Sequence, residues 1–272
     1  GMSYLYQDGI MDVKNNYKRL NFRAAVDYDA TKWLKVGFNG VFSQSNQVLP
    51  NNAAWQQAFN TPSLIPVYDA NNEVASPDKY ASPSSVGLGA NFKNPVATAN
   101  YYDSKNDLRQ YMTNFYAQLN VLPEKLTFKT SINYNYQNID GRTFVPIYKV
   151  DNNQHNDATS LTKTNSQYNN YIWDNTLSYK DSFGKHNFGA MLGMSMRQET
   201  YKNLWGSAPD VPEGNDAYLY LGQGSATGIT LGDDGSKYRG LSYFARLNYD
   251  YASKYYLMFT MRADGSSKYQ DK

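Results

Sequence analysis

The chain of 272 residues has no cysteine and only two histidines, His155 and His186. Without cysteine there is no disulfide framework, no thiolate metal site and no cysteine nucleophile. Long apolar runs are missing as well. None approaches the roughly 18 residues of a membrane-crossing helix. Charge is sparse: 18% of residues are Asp, Glu, Lys or Arg, and the formal net charge is +2. The basic residues do not cluster, and the aromatics interleave with Asn and Ser, which argues against a nucleic-acid surface. The ten prolines are absent from several long segments and concentrated around Pro50, Pro62, Pro66, Pro77, Pro83 and Pro95. That density excludes central strands and long helices there.

Aromatic residues and uncharged polar residues fill the gap. Aromatics make up 15% of the chain, and tyrosine alone contributes 26 residues. A tyrosine has an apolar ring and a polar tip, so it suits a membrane–water boundary or a groove that grips sugar or peptide. The arrangement decides between these. Leu126, Phe128, Thr130, Ile132, Tyr134 and Tyr136 alternate with Thr127, Lys129, Ser131, Asn133, Asn135 and Gln137. Such a strand wants hydrocarbon on one side and water on the other. Its length of about eleven residues is what a tilted strand needs to cross a bilayer core.

The same rhythm predicts about nine strands, opened by Met2, Tyr4 and Tyr6 and closed by Tyr255, Leu257, Phe259 and Met261. Tight turns fall at Ala30–Lys32, Pro123–Lys125, Asp181–Lys185 and Ala252–Lys254. Long loops fall at about 43–108, 138–167 and 198–239, and a short helix is expected over Asn52–Asn60. Short turns at one end and long loops at the other are the habit of outer-membrane barrels, with the turns periplasmic and the loops extracellular. The expected fold is therefore all-β, an antiparallel transmembrane β-barrel segment covering residues 1–272. Nine is odd, whereas closed single-chain bacterial barrels have even counts. No signal peptide is read at Gly1–Tyr4, and both ends resemble cuts through a longer protein.

Several motifs resemble one family. Ser242-Tyr243-Phe244-Ala245-Arg246-Leu247-Asn248-Tyr249, then Lys254-Tyr255, then Arg262-Ala263-Asp264-Gly265-Ser266-Ser267, is similar to the SusC/RagA family of TonB-linked outer-membrane proteins. Gln7-Asp8-Gly9-Ile10, Arg19–Arg23, Thr61–Tyr68, Asn94–Ala97 and Phe183–Asn187 resemble further family segments in the expected order. The resemblance implies a barrel of about 22 strands in the outer membrane of a Gram-negative, Bacteroidetes-like bacterium. It implies nutrient uptake, with oligosaccharides (glycan import) or peptides as cargo, TonB energy coupling and a SusD-like surface lipoprotein as partner. The plug and TonB box implied by the family are not read in this chain.

Candidate sites follow from position. Trp55, Tyr68, Tyr101, Tyr102 and Trp205 fall in expected loops and are candidate ligand contacts. Asn114, Gln118, Lys129, Asn133, Asn135, Arg246 and Asn248 are the expected lumen-facing residues. Tyr28, Trp33, Tyr134, Tyr179, Tyr251 and Tyr255 are expected in an aromatic girdle against lipid. Asp151–Asp157 is oxygen-rich but lacks an EF-hand's glycine and late glutamate, so a solvated loop tip is expected. Gly232–Gly235 is read as loop too. Arg262–Ser267 is expected to be a strand-to-loop transition in which Asp264 caps or pairs with Arg262 and Gly265 permits a tight turn. The histidines are expected at opposite ends, so no catalytic or metal constellation can be assembled, and no cofactor is indicated. The alternative to an importer is a soluble carbohydrate-binding or adhesin-like β-domain. Such a domain has to cover Leu126, Phe128 and Ile132 with a second layer.

Overall fold

A computed structural model describes residues 1–10, 13–89 and 91–269. In chain order the strands and helices are β1 (Met2–Asp8), β2 (Asn16–Asp29), β3 (Leu34–Leu49), α1 (Asn52–Asn60), α2 (Pro95–Asn100), β4 (Asp103–Leu122) and β5 (Leu126–Val145). Then come β6 (Tyr148–Lys149), β7 (His155–Asn156), β8 (Ser160–Phe183), β9 (His186–Pro209), β10 (Thr230–Tyr251) and β11 (Tyr255–Ser266). One antiparallel sheet holds nine strands in the order β1-β2-β3-β4-β5-β8-β9-β10-β11, and β6 pairs with β7 separately.

The tight turns share one end of this sheet. Thr31 caps the first, its hydroxyl accepting from the backbone N–H of Leu34 at 3.0 Å. The next two use left-handed residues, Glu124 at φ 61° and Gly184 at φ 59°. In the last, Ala252 and Ser253 both have positive φ, which matches the right-handed twist of the strands it joins.

Register then sorts the side chains. Val26, Phe38, Phe115, Ile132, Trp173, Met196 and Leu241 form one continuous cross-strand row. The next row toward the turns but one contains Leu34, Leu119, Phe128, Leu177, Leu192, Ala245 and Met261. Alternation puts the oily rows of these strands on one face, while Val41, Met112, Ile172, Met191 and Phe244 lie among the polar residues of the other. Among the described residues no second layer covers it: Val26, Phe115, Leu192, Tyr243 and Met261 are each more than half exposed.

The strands run further than the alternation suggests. The connections are 50–102, 146–159 and 210–229, shorter than the expected 43–108, 138–167 and 198–239. Just above the oily band both faces of the sheet turn largely polar, so the apolar–polar signal fades while backbone pairing continues. Gly232–Gly235 lies inside β10, paired with β9, instead of in a loop. Gly265 likewise stays within β11, and the chain turns after Ser266. The expected Arg262–Asp264 ion pair is present at 2.9 Å.

At the long-loop end two small cores form. Tyr80, Ala97, Tyr101 and Val150 join connections 50–102 and 146–159. Phe144, Leu161, Ala208, Val211 and Leu219 pack connection 210–229 against the oily-side face of β5, β8 and β9.

Candidate ligand face and vestibule

The face opposite the oily one is lined with amides and charges. Asn39, Asn114 and Asn133 stand in one cross-strand row, and the Asn114 amide donates to Asn133 at 2.6 Å. Gln110 donates to Asn135 at 3.3 Å. Gln118 and Lys129 are cross-strand partners, and the Lys129 ammonium lies 4.8 Å from the Tyr116 ring centre. A hollow of about 400 Å³ on this face is lined by Asn39, Asn114, Asn133, Asn135, Arg197 and Glu199 together with the apolar Val41, Met112 and Ile172, and Arg197 and Glu199 form an ion pair. Arg246 and Asn248 face the same way further along the sheet. All seven residues expected on the polar face therefore share it.

Glycine notches let large groups lie flat here. A Cβ on Gly193 would sit 2.1 Å from the Phe244 ring, and one on Gly37 would sit 2.1 Å from Tyr116. Such donors and acceptors, held by rigid strands, are suited to hydrogen-bonding sugar hydroxyls or peptide amides.

The five aromatic candidates are not gathered into one site. Trp55 is exposed on α1. Trp205 is a strand residue on the polar face of β9, beside Gly232. Tyr102 is half-buried at the entry to β4. Tyr101 is 6% exposed, so it packs within the connection and offers no free ring face. Tyr68, by contrast, is 59% exposed. It stacks on buried Tyr80 at 5.0 Å, Tyr80 meets Tyr101 edge-on at 5.4 Å, and Tyr101 stacks on Tyr148 at 4.3 Å. Burial pushes the Tyr80 hydroxyl up to about 12 and also raises Tyr101 and Tyr148. Tyr68 is thus the open end of a fixed column of rings.

Sequence reasoning missed the polar side chains that hold this end together. Asn94, 1% exposed, caps α2 by accepting from the N–H groups of Val96 and Ala97. Its amide donates to the carbonyls of Val67 and Ala81. Gln154 accepts from Asn94 N–H at 2.8 Å and donates back to its carbonyl at 2.9 Å. Asp151 accepts from the N–H groups of Asn153 and Gln154 and from the Ser82 hydroxyl. The 151–157 segment is thus anchored by buried Asp151 and Gln154 instead of being a solvated tip. An asparagine before Pro95 was the available signal, since Asn at the N-cap with Pro at the first helical position starts a helix.

Asp216, in connection 210–229, pairs with Lys105 and with Arg142 on the oily-side face above the band. The Lys105 hydrogen bond, with Arg142 nearby, holds its carboxyl below the usual range. His155 and His186 lie at opposite ends of the sheet. Among the described residues no three His, Cys, Asp or Glu side chains converge on a metal position.

An uncovered oily band, an opposite face of amides, short turns at one end and connections folded over the other define a wall segment of a transmembrane β-barrel. No protein-family model matches the chain. The chain is similar to TonB-dependent receptor P3 of Formosa agariphila, 26% identical across 98% of this chain and 26% of the relative. It is also similar to TonB-dependent receptor SusC of Bacteroides thetaiotaomicron, 30% identical across 65% of this chain and 17% of that protein. The solved RagAB peptide transporter superposes with a TM-score of 0.75 at 20% identity, covering 98% of this chain and 30% of the solved one. The chain spans about a quarter of the length of the curated relatives it matches across nearly all of its own length. Its sequence is similar to those of TonB-dependent receptors, and its fold is that of a SusC/RagA-like barrel segment.

Proposed function

We propose that residues 1–272 form part of the wall and external vestibule of an outer-membrane importer for oligosaccharides or peptides in a Bacteroidetes-like Gram-negative bacterium. The observation that carries this reading is the two-faced sheet, with an oily band for lipid and, opposite it, rows of amides around a hollow of mixed polar and apolar lining for cargo. Cargo captured at the long-loop end passes along Asn114, Gln118, Lys129, Asn133, Asn135, Arg246 and Asn248. A surface lipoprotein of the SusD kind and the TonB complex serve as lid and motor, in keeping with the SusC and RagAB likenesses. Tyr68 is the best-placed ligand contact of the five aromatics, because a ring already immobilised loses little freedom on stacking. Among the described residues no layer covers the oily band, so nothing favours the soluble β-domain reading.

Native cysteine is absent, so single cysteines test this directly. In native membranes Asn133→Cys should react with a water-soluble, membrane-impermeant maleimide that enters the lumen, and Ile132→Cys should not. Equal reactivity at both positions would overturn the reading. Uptake of labelled oligosaccharide against labelled peptide then assigns the cargo class.

A further inference from the structure

The oily-side face changes chemistry along one line. Toward the long-loop end, Leu20 on β2, Tyr111 on β4 and Leu241 on β10 close the apolar band. The next residues on that face, strand by strand from β2 to β10, are Lys18, Gln44, Arg109, Asn138, Asn169, Gln198 and Arg239. All are cations or amides and none is a carboxylate. Lys237 follows Arg239 on the same face. Lys202 lies on β9 opposite Gly235, a diagonal step of roughly 7–8 Å from Lys237.

These cations differ from the ones higher up. Lys105 and Arg142 are engaged by Asp216 and Asp103. Among the described residues Arg109, Lys202, Lys237 and Arg239 have no carboxylate partner, and all four are exposed. The Arg239 Nε donates to Gln198 at 3.0 Å, which braces the guanidinium beside the band and leaves its outer nitrogens open. Lys18 lies 5.6 Å from the Tyr6 ring centre.

We propose that Lys202, Lys237 and Arg239 form a docking site for the phosphorylated glycolipid headgroup of the outer leaflet, continued around the wall by Arg109 and Lys18. This rests on the barrel-wall reading. Its occupant is fixed by the chemistry on the two sides of the line. Below it, apolar side chains demand acyl chains. At it, unpaired cations demand an anion, and the amides of Gln44, Asn169 and Gln198 offer hydrogen bonds to sugar hydroxyls. An acylated, phosphorylated sugar satisfies all three, and clustered basic residues at a membrane surface bind anionic headgroups in this way.

The test uses the protein extracted from membranes in mild detergent and observed by native mass spectrometry. The probes are lipid A, a diphosphorylated and acylated glucosamine disaccharide, and its dephosphorylated counterpart. The triple variant K202Q/K237Q/R239Q should retain lipid A on the order of a hundredfold less well than the parent protein, as expected when three cations are removed from an anion site. Lys185→Gln, an exposed cation at the turn end, should leave retention unchanged, and the dephosphorylated lipid should bind parent and triple variant alike. Equal lipid A retention by parent and triple variant overturns the proposal, as does parent protein that does not discriminate the two lipids. Heat-modifiable gel migration of the parent protein is scored separately, and its absence would strike the barrel reading instead.

Discussion

Asn94 shows how one side chain can hold a long connection in place, while its backbone meets Gln154 of the next. It uses both ends of its amide, capping α2 with its oxygen and tying Val67 and Ala81 with its nitrogen. Asn94→Ala therefore removes a cap and leaves buried carbonyls unpaired, a loss of about 2–4 kcal/mol of local stability. Hydrogen exchange should show 50–102 and 146–159 opening together while β4 and β5 stay protected. Asp216 makes a pH prediction. Its carboxyl is held below the ordinary value in the folded state. Its contribution is therefore complete above the ordinary carboxylate pKa and is lost as pH falls through the lowered one. Connection 210–229 should stay docked through neutral and mildly acidic pH and lift only below about pH 4. Spin labels at Asn203 and Tyr218 report the distance, and Asp216→Asn should loosen the docking at all pH values and flatten its pH response.

At the scale of a strand, burial alternation sets what each position tolerates. Ile132→Lys points a charge into lipid and should cost about 2–4 kcal/mol, whereas Asn133→Lys, one residue on, should cost little. Urea-driven unfolding in lipid vesicles measures both. Gly193→Val puts a side chain where the Phe244 ring lies, and the displaced ring should cost about 1–3 kcal/mol. The same alternation explains what the sequence made legible. The nine strands, the four tight turns and the polar-face residues Asn114, Asn133 and Asn135 are read from period two, because lipid and water force it. Upper strand sections such as Lys163–Asn170 or Asp233–Arg239 have water on both sides, carry no period and look like loops. The helix α1 was legible as the short helix expected over Asn52–Asn60. The buried knot of Ser82, Asn94, Asp151 and Gln154 was not, since long-range partners leave no local spacing.

For the molecule as a whole, the uncovered band makes an external solvent necessary. Among the described residues β1 pairs only with β2, and β11 only with β10, so the sheet also presents backbone groups along two borders. Produced by itself, the 272-residue chain should aggregate in water and stay dispersed only with detergent, as sedimentation velocity will show. A soluble monomer would contradict the barrel assignment. The longest strands, β8 and β9, contain 24 residues each, roughly 80 Å at about 3.3 Å per residue. Tilted by about 40°, they rise about 60 Å, while the apolar band needs only about 25 Å. The remainder extends the wall well beyond the apolar band, and on the importer reading proposed above this height holds cargo clear of the bilayer before it enters.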